Sequence, residues 1–153
     1  MKASPGPIPA IRPATMGDVP ALAALTTHLG YPVDDVAMAA RMRHFIAEPD
    51  YETLVAESGG RVVGFAGVTW KWSYTEDTPR GQLLALVVEP EERGRGTGAA
   101  LVAAAEAWAR EQGAGSVHVT TALHRERTHR FYERIGYART GYRYVKNLGG
   151  ETH

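Results

Sequence analysis

Apolar side chains recur along this chain first at helical spacing and then at strand spacing, which predicts a mixed order of elements. Residues 8–12 form a short run closed by Pro13, a candidate first strand. Leu22, Leu25 and Leu29 then recur at helical spacing behind Asp18, a candidate cap, with Pro20 in the opening turn. Gly30-Tyr31-Pro32 stops that helix. A second helix is predicted over about residues 34–47, with Met38, Met42, Phe45 and Ile46 on one face and Glu48-Pro49-Asp50 after it. Residues 53–57 and 61–72 are apolar and β-rich around Ser58-Gly59-Gly60, which reads as a hairpin. A polar connection with Glu76, Asp77 and Pro79 leads into residues 83–88, a buried strand ended by Glu89 and Pro90. An alanine-rich helix follows up to about Glu111, with Leu101, Ala104 and Trp108 on one face and Gly113 and Gly115 at its end. Residues 116–121 alternate as a strand and 126–135 read as a helix. Gly136 breaks that helix, and residues 137–145 read as a final aromatic-rich strand. The order β-α-α-β-β-β-α-β-α-β predicts one α/β domain over residues 10–148, with 1–9 and 149–153 as flexible tails.

Composition narrows the classes. Apolar residues make up 44% of the 153, normal for a folded globular chain. Lysine plus arginine equals aspartate plus glutamate at 17 each, so no net charge draws the whole chain to nucleic acid or a membrane, and any anion binding is local. With no cysteine there is no disulfide, thiolate metal site or cysteine nucleophile, which fits a reducing cytoplasm. The first residues lack the apolar core of a signal peptide, and no apolar run approaches ~18 residues. No set of histidines and carboxylates shows metal-ligand spacing, so no metal is expected.

The chemistry concentrates where the strand at 83–88 meets the alanine-rich helix. The turn between them reads Arg93-Gly94-Arg95-Gly96-Thr97-Gly98. Strand, glycine-rich turn and helix start together make backbone N–H groups converge on an anion, and the two arginines favour phosphate. A Walker loop is excluded, because no lysine follows the glycines. Gly94-x-Gly96-x-x-Ala99 meets a loose dinucleotide fingerprint, but Thr120, Thr121 and Ala122 stand where the next strand would carry an acid. The turn also reads as an ordinary glycine-rich helix start.

A third reading takes in more residues. Leu86-x-Val88-x-Pro90-x-x-Arg93-Gly94-x-Gly96-x-Gly98, with an amphipathic helix after it, resembles the acetyl-CoA motif of the GNAT acyltransferases. That family's pattern [Gln/Arg]-x-x-Gly-x-[Gly/Ala] is met by Arg93, Gly96 and Gly98. Downstream, Arg130-Phe131-Tyr132-Glu133-Arg134-Ile135-Gly136-Tyr137 resembles its FYE-x-x-G-[FY] block. The resemblance spans about residues 11–144. It implies a GNAT fold: a mixed, mostly antiparallel sheet of six to seven strands, flanked by four helices and splayed between the fourth and fifth strands. It also implies acetyl-CoA as co-substrate and direct acetyl transfer to a primary amine, without a covalent enzyme intermediate.

By the same resemblance, the backbone of Leu86, Val87 and Val88 would bond the pantetheine arm, with the acetyl carbonyl near Val88. Arg93, Gly94, Arg95, Gly96, Thr97 and Gly98 would hold the diphosphate. Tyr132 falls where the family keeps a tyrosine that protonates the departing thiolate, although it also reads as a packed aromatic. Arg125 and Thr128 replace the family's usual Asn and Ala, and Arg125 could reach a coenzyme phosphate. The strand at 83–88 has no carboxylate to act as base. That leaves Glu76, Asp77, His124 or a water chain, each of which also reads as a solvated group, with His118 and His129 less favoured. The acceptor, a small-molecule amine or a peptide N-terminus, would meet Tyr31, Trp70, Trp72 and Tyr74. Sheet packing accounts equally for at least one tryptophan. Tyr137, Tyr142 and Tyr144 could pair across a homodimer. The rival functions are a non-catalytic acyl-CoA sensor and a dinucleotide-dependent oxidoreductase.

Overall fold

Gly59 and Gly60 both hold left-handed φ, 58° and 78°, and this two-residue turn joins β2 (Tyr51–Ser58) to β3 (Arg61–Lys71). The computed structural model describes residues 9–120, 126–141 and 144–149. The chain divides into two compact units, Met1–His118 and Val119–His153.

In the first unit β1 (Ala10–Pro13) pairs antiparallel with β2, β2 with β3, and β3 with β4 (Arg80–Val88). β5 (Ser116–Val119) is next to β4, so the five strands lie in sequence order. One face of this sheet carries Val55, Phe65 and Val87. Against them pack Val19, Leu22, Ala23 and Leu25 of α1 (Val19–Leu29) and Met38 and Met42 of α2 (Asp35–Ala47). α3 (Thr97–Glu111) covers the other face with Leu101, Val102, Ala105 and Ala109, all buried. Burial of a leucine such as Leu101 contributes roughly 1.5–3 kcal/mol. α3 lies so close to the start of β4 that a Cβ on Gly81 would stand 2.8 Å from Ala109 Cβ. Only glycine fits there. The second unit contributes α4 (Glu126–Arg134).

Most elements stand where the periodicity predicts them, with two corrections. Among the described residues the sheet has five strands rather than six to seven. The predicted final strand at 137–145 is absent in residues 137–141 and 144–145, while 142 and 143 lie outside the described residues. The reason is burial: Tyr137 packs on Tyr132, but residues 138–141 and 144–149 are exposed and offer no apolar face to anchor a strand. Second, the Asp18 side chain does not cap α1. It accepts from Thr15 N–H at 2.8 Å and from the Arg12 guanidinium instead. Asp34 does cap α2, accepting from Ala37 N–H at 2.8 Å.

Candidate active site

The strand leading into the glycine-rich turn is interrupted. Gly67 pairs with Ala85 and Val68 with Leu83, so Leu84 has no partner on β3. This β-bulge releases the backbone of Leu84 from the ladder and leaves its side chain 46% exposed. Beyond the bulge Val87 is buried on the α1/α2 face, while Leu86 and Val88 are half-buried toward α3. Glu89 N–H donates to Val63 C=O at 2.9 Å, ending the pairing.

A short 3-10 turn, Pro90–Glu92, then reverses the chain, tied by Glu92 N–H to Glu89 C=O at 2.9 Å and Arg93 N–H to Pro90 C=O at 3.2 Å. Gly94 and Gly96 both adopt φ 83°, the left-handed region that favours glycine. A Cβ at either would meet nothing within 4 Å, so the space above both is open. α3 has no side-chain cap, and its first helical bond runs from Ala100 N–H to Gly96 C=O at 2.9 Å. The amides of Gly96, Thr97, Gly98 and Ala99 precede that bond and point out of the positive end of the helix. A diphosphate fits this cradle: open space over two glycines, uncommitted amides and two flanking arginines. Arg93 is exposed. Arg95, half exposed, lies 3.8 Å from the carboxylate of Glu92, which is buried. Nothing in the run Pro90-Glu91-Glu92 marks Glu92 as buried. The Thr97 side chain is fully buried and its hydroxyl has no partner among the described residues, so this residue faces the cradle through its backbone.

The remaining expected site residues fall in different places. Trp70 is half-buried opposite Gly81, on the α3 face, with its Nε1 buried and unpartnered. Trp72 and Tyr74 are exposed past the end of β3, and Tyr31 is exposed past α1. The Glu76 carboxylate is held by Arg80, whose guanidinium also reaches Ser73 Oγ at 3.3 Å. Asp77 is exposed. Arg125 and His124 lie outside the described residues.

In the second unit, Tyr132 is 7% exposed, edge-on to Phe131 and Tyr137 at centroid distances of 5.2 and 5.6 Å. Burial pushes its phenol up to about 12, which keeps the proton on the oxygen. Tyr137 N–H to Tyr132 C=O at 2.9 Å and Gly136 N–H to Glu133 C=O at 3.1 Å close the helix around Gly136, at φ 99°. Thr128 is half-buried on the same helix.

Comparison with known proteins turns this geometry into a family assignment. Residues 20–137 match the model of the acetyltransferase (GNAT) family. The chain belongs to the GNAT acetyltransferase family. It is 31% identical over 143 residues to an aminoalkylphosphonate N-acetyltransferase of Salmonella typhimurium, covering 93% of each. It is also 31% identical over 136 residues to an aminoglycoside N(6′)-acetyltransferase of Stenotrophomonas maltophilia, covering 86% of this chain and 88% of that one. Its fold is that of a solved aminoglycoside 6′-N-acetyltransferase from Acinetobacter haemolyticus, at a TM-score of 0.80, 21% identity and 93% and 99% coverage. It shares the fold equally with an aminoglycoside acetyltransferase solved with a coenzyme A bisubstrate analogue, at a TM-score of 0.80, 20% identity and 90% and 96% coverage. As a GNAT acetyltransferase this protein is an acetyl-CoA-dependent N-acetyltransferase. Among the described residues no helix is long and apolar enough to cross a membrane.

Proposed function

We propose that this GNAT enzyme acetylates the primary amine of a small polar molecule, with its coenzyme diphosphate held by the glycine-rich turn at residues 94–98. The observation that carries this reading is the paired left-handed glycines, Gly94 and Gly96, with open space above them at the start of α3. The named substrates of the two relatives, aminoalkylphosphonates and aminoglycosides, support a small-molecule amine over a peptide.

The coenzyme's arm lies along Leu86, Val87 and Val88, where the sheet opens between β4 and β5. The acetyl carbonyl sits nearer Leu84 than Val88, because the bulge is where β4 has backbone released from its partner. The amine attacks the thioester carbon directly, with both molecules bound, and Tyr132 gives its proton to the departing sulfur. The exposed Trp72 and Tyr74 offer the acceptor an aromatic surface. We place the reaction in the cytoplasm. The exposed Tyr144, Val145 and Leu148 are the apolar side chains that a homodimer would cover.

The test is thiol release from acetyl-CoA against a panel that includes 2-aminoethylphosphonate, kanamycin, spermidine, free amino acids and a peptide N-terminus. Turnover with a small amine supports the assignment. Acetyl-CoA binding with no turnover on any amine would make the protein a sensor.

A further inference from the structure

We infer that His118 is the base that takes the proton from the acceptor amine, a role the missing carboxylate of β4 leaves open. The inference rests on the proposed acetyl transfer and on four relationships within the first unit.

The first is direction. Gly115 N–H donates to Pro79 C=O at 3.0 Å, and a Cβ on Gly81 would lie 3.2 Å from Val117 Cγ2. The starts of β4 and β5 are therefore side by side. With α3 as the crossover between these neighbouring strands, they run parallel. Counting forward, His118 comes level with Gln82 and Leu83, just ahead of the bulge at Leu84.

The second is facing. The position above Gly81 is on the α3 side, 2.8 Å from Ala109 Cβ, so Val117 faces α3. Strand alternation then turns Ser116 and His118 to the opposite face, the face of Ala85 and Gln82. Ser116 and His118 are both half-buried on that face. An imidazole there lies beside the bulge without being sealed beneath a helix.

The third is the ring's wiring. Ser116 Oγ and His118 Nε2 are 3.1 Å apart. With Nε2–H donating to the serine oxygen, the Nδ1 lone pair is left open, and among the described residues it has no partner. Ser116 then fixes the tautomer and the ring's orientation.

The fourth is the surrounding charge. On β4 the charged side chain sharing the face is Arg80, which is held by Glu76. Glu76 is thereby occupied, and the imidazole is the uncommitted proton acceptor of this pair of strands.

The proton balance closes. An ammonium gives one proton to His118 Nδ1, and the freed nitrogen lone pair forms the C–N bond to the acetyl carbon. The C–S bond breaks, and the second proton lost from the nitrogen is matched by the proton that the sulfur takes up. His118 releases its proton to solvent, leaving amide, free thiol and one H+.

The experiment follows kcat/KM against pH with the best amine of the panel, alongside acetyl-CoA affinity by calorimetry. His118→Gln should lower turnover by about a hundredfold, remove the acidic limb of the profile and leave acetyl-CoA affinity unchanged. Imidazole added to His118→Ala should restore part of the rate. Ser116→Ala should lower turnover by about tenfold and keep the limb, because the ring is no longer held in one tautomer. If His118→Gln retains both turnover and limb, the role fails while acetyl transfer stands. If the wild-type protein acetylates no amine at all, both fail together.

Discussion

Arg12 grips Asp18 with both terminal guanidinium nitrogens, at 2.8 and 2.9 Å, while its Nε reaches Glu57 at 2.7 Å. One side chain thus ties β1, the 3-10 turn before α1 and β2 at a single point. The guanidinium holds the Asp18 carboxyl below the usual carboxylate range, with the Thr15 amide helping. Asp18→Asn should lose roughly 1–3 kcal/mol, as expected when a buried charge-assisted pair is broken. The sign follows from the lowered pKa. The clamp's contribution is complete above the unfolded carboxyl value of about 3.8 and disappears as pH falls through the lower folded value. Thermal melts of wild type and Asp18→Asn should therefore differ at pH 7 and converge in strong acid.

The cradle is tested at Gly96. A Cβ there meets no neighbour within 4 Å, but φ 83° strains any side chain by roughly 1–2 kcal/mol. The branched side chain also fills the space above the turn. Gly96→Val should weaken acetyl-CoA by about tenfold or more and leave a folded protein by circular dichroism. An unchanged titration would remove the turn from the coenzyme site.

Tyr132 is tested by removing one atom. Tyr132→Phe should lower kcat by roughly ten- to a thousandfold, while acetyl-CoA still binds. Because burial raises the phenol to about 12, Tyr132 should add no basic limb to the rate profile below about pH 10. Stability should decline between about pH 10 and 12, where the unfolded phenol ionises and the buried one resists. That decline should be smaller in Tyr132→Phe.

The buried Thr97 hydroxyl makes the opposite prediction. It has no partner among the described residues, so Thr97→Val removes an unsatisfied group and keeps the shape. Stability should rise by about 1 kcal/mol, or about 2–4 °C in Tm for a chain of this length. Acetyl-CoA affinity should hold, since the backbone N–H is unchanged.

Much of the molecule was legible along the chain because the forces involved are local. Gly94, Gly96 and Gly98 mark a turn by their own backbone freedom, and Leu22, Leu25 and Leu29 mark a helix by spacing. The hairpin at Gly59-Gly60 belongs to the same class. Arg93, Gly96 and Gly98 followed by the FYE block made the family recognisable, and with it the coenzyme.

What only the tertiary structure decided depends on which residue stands opposite which. Residues 83–88 are an unbroken apolar run, and nothing in them marks Leu84 as the residue left out. That follows from the pairing of Gly67 with Ala85 and Val68 with Leu83. Asp18 was expected to cap a helix and instead answers Arg12, because β1 brings a guanidinium within 2.8 Å. Glu76 reads along the chain as a solvated acid or a candidate base, and its pairing with Arg80 is visible only in the fold. His118 looked like a lone histidine within a strand, and its face and its Ser116 partner emerge only once β5 is set beside β4. By itself the sequence determined most of the elements, the glycine-rich turn and the family, which rest on propensity and spacing over a few residues. Strand register and charge pairing arise between distant residues, and those the folded sheet alone decides.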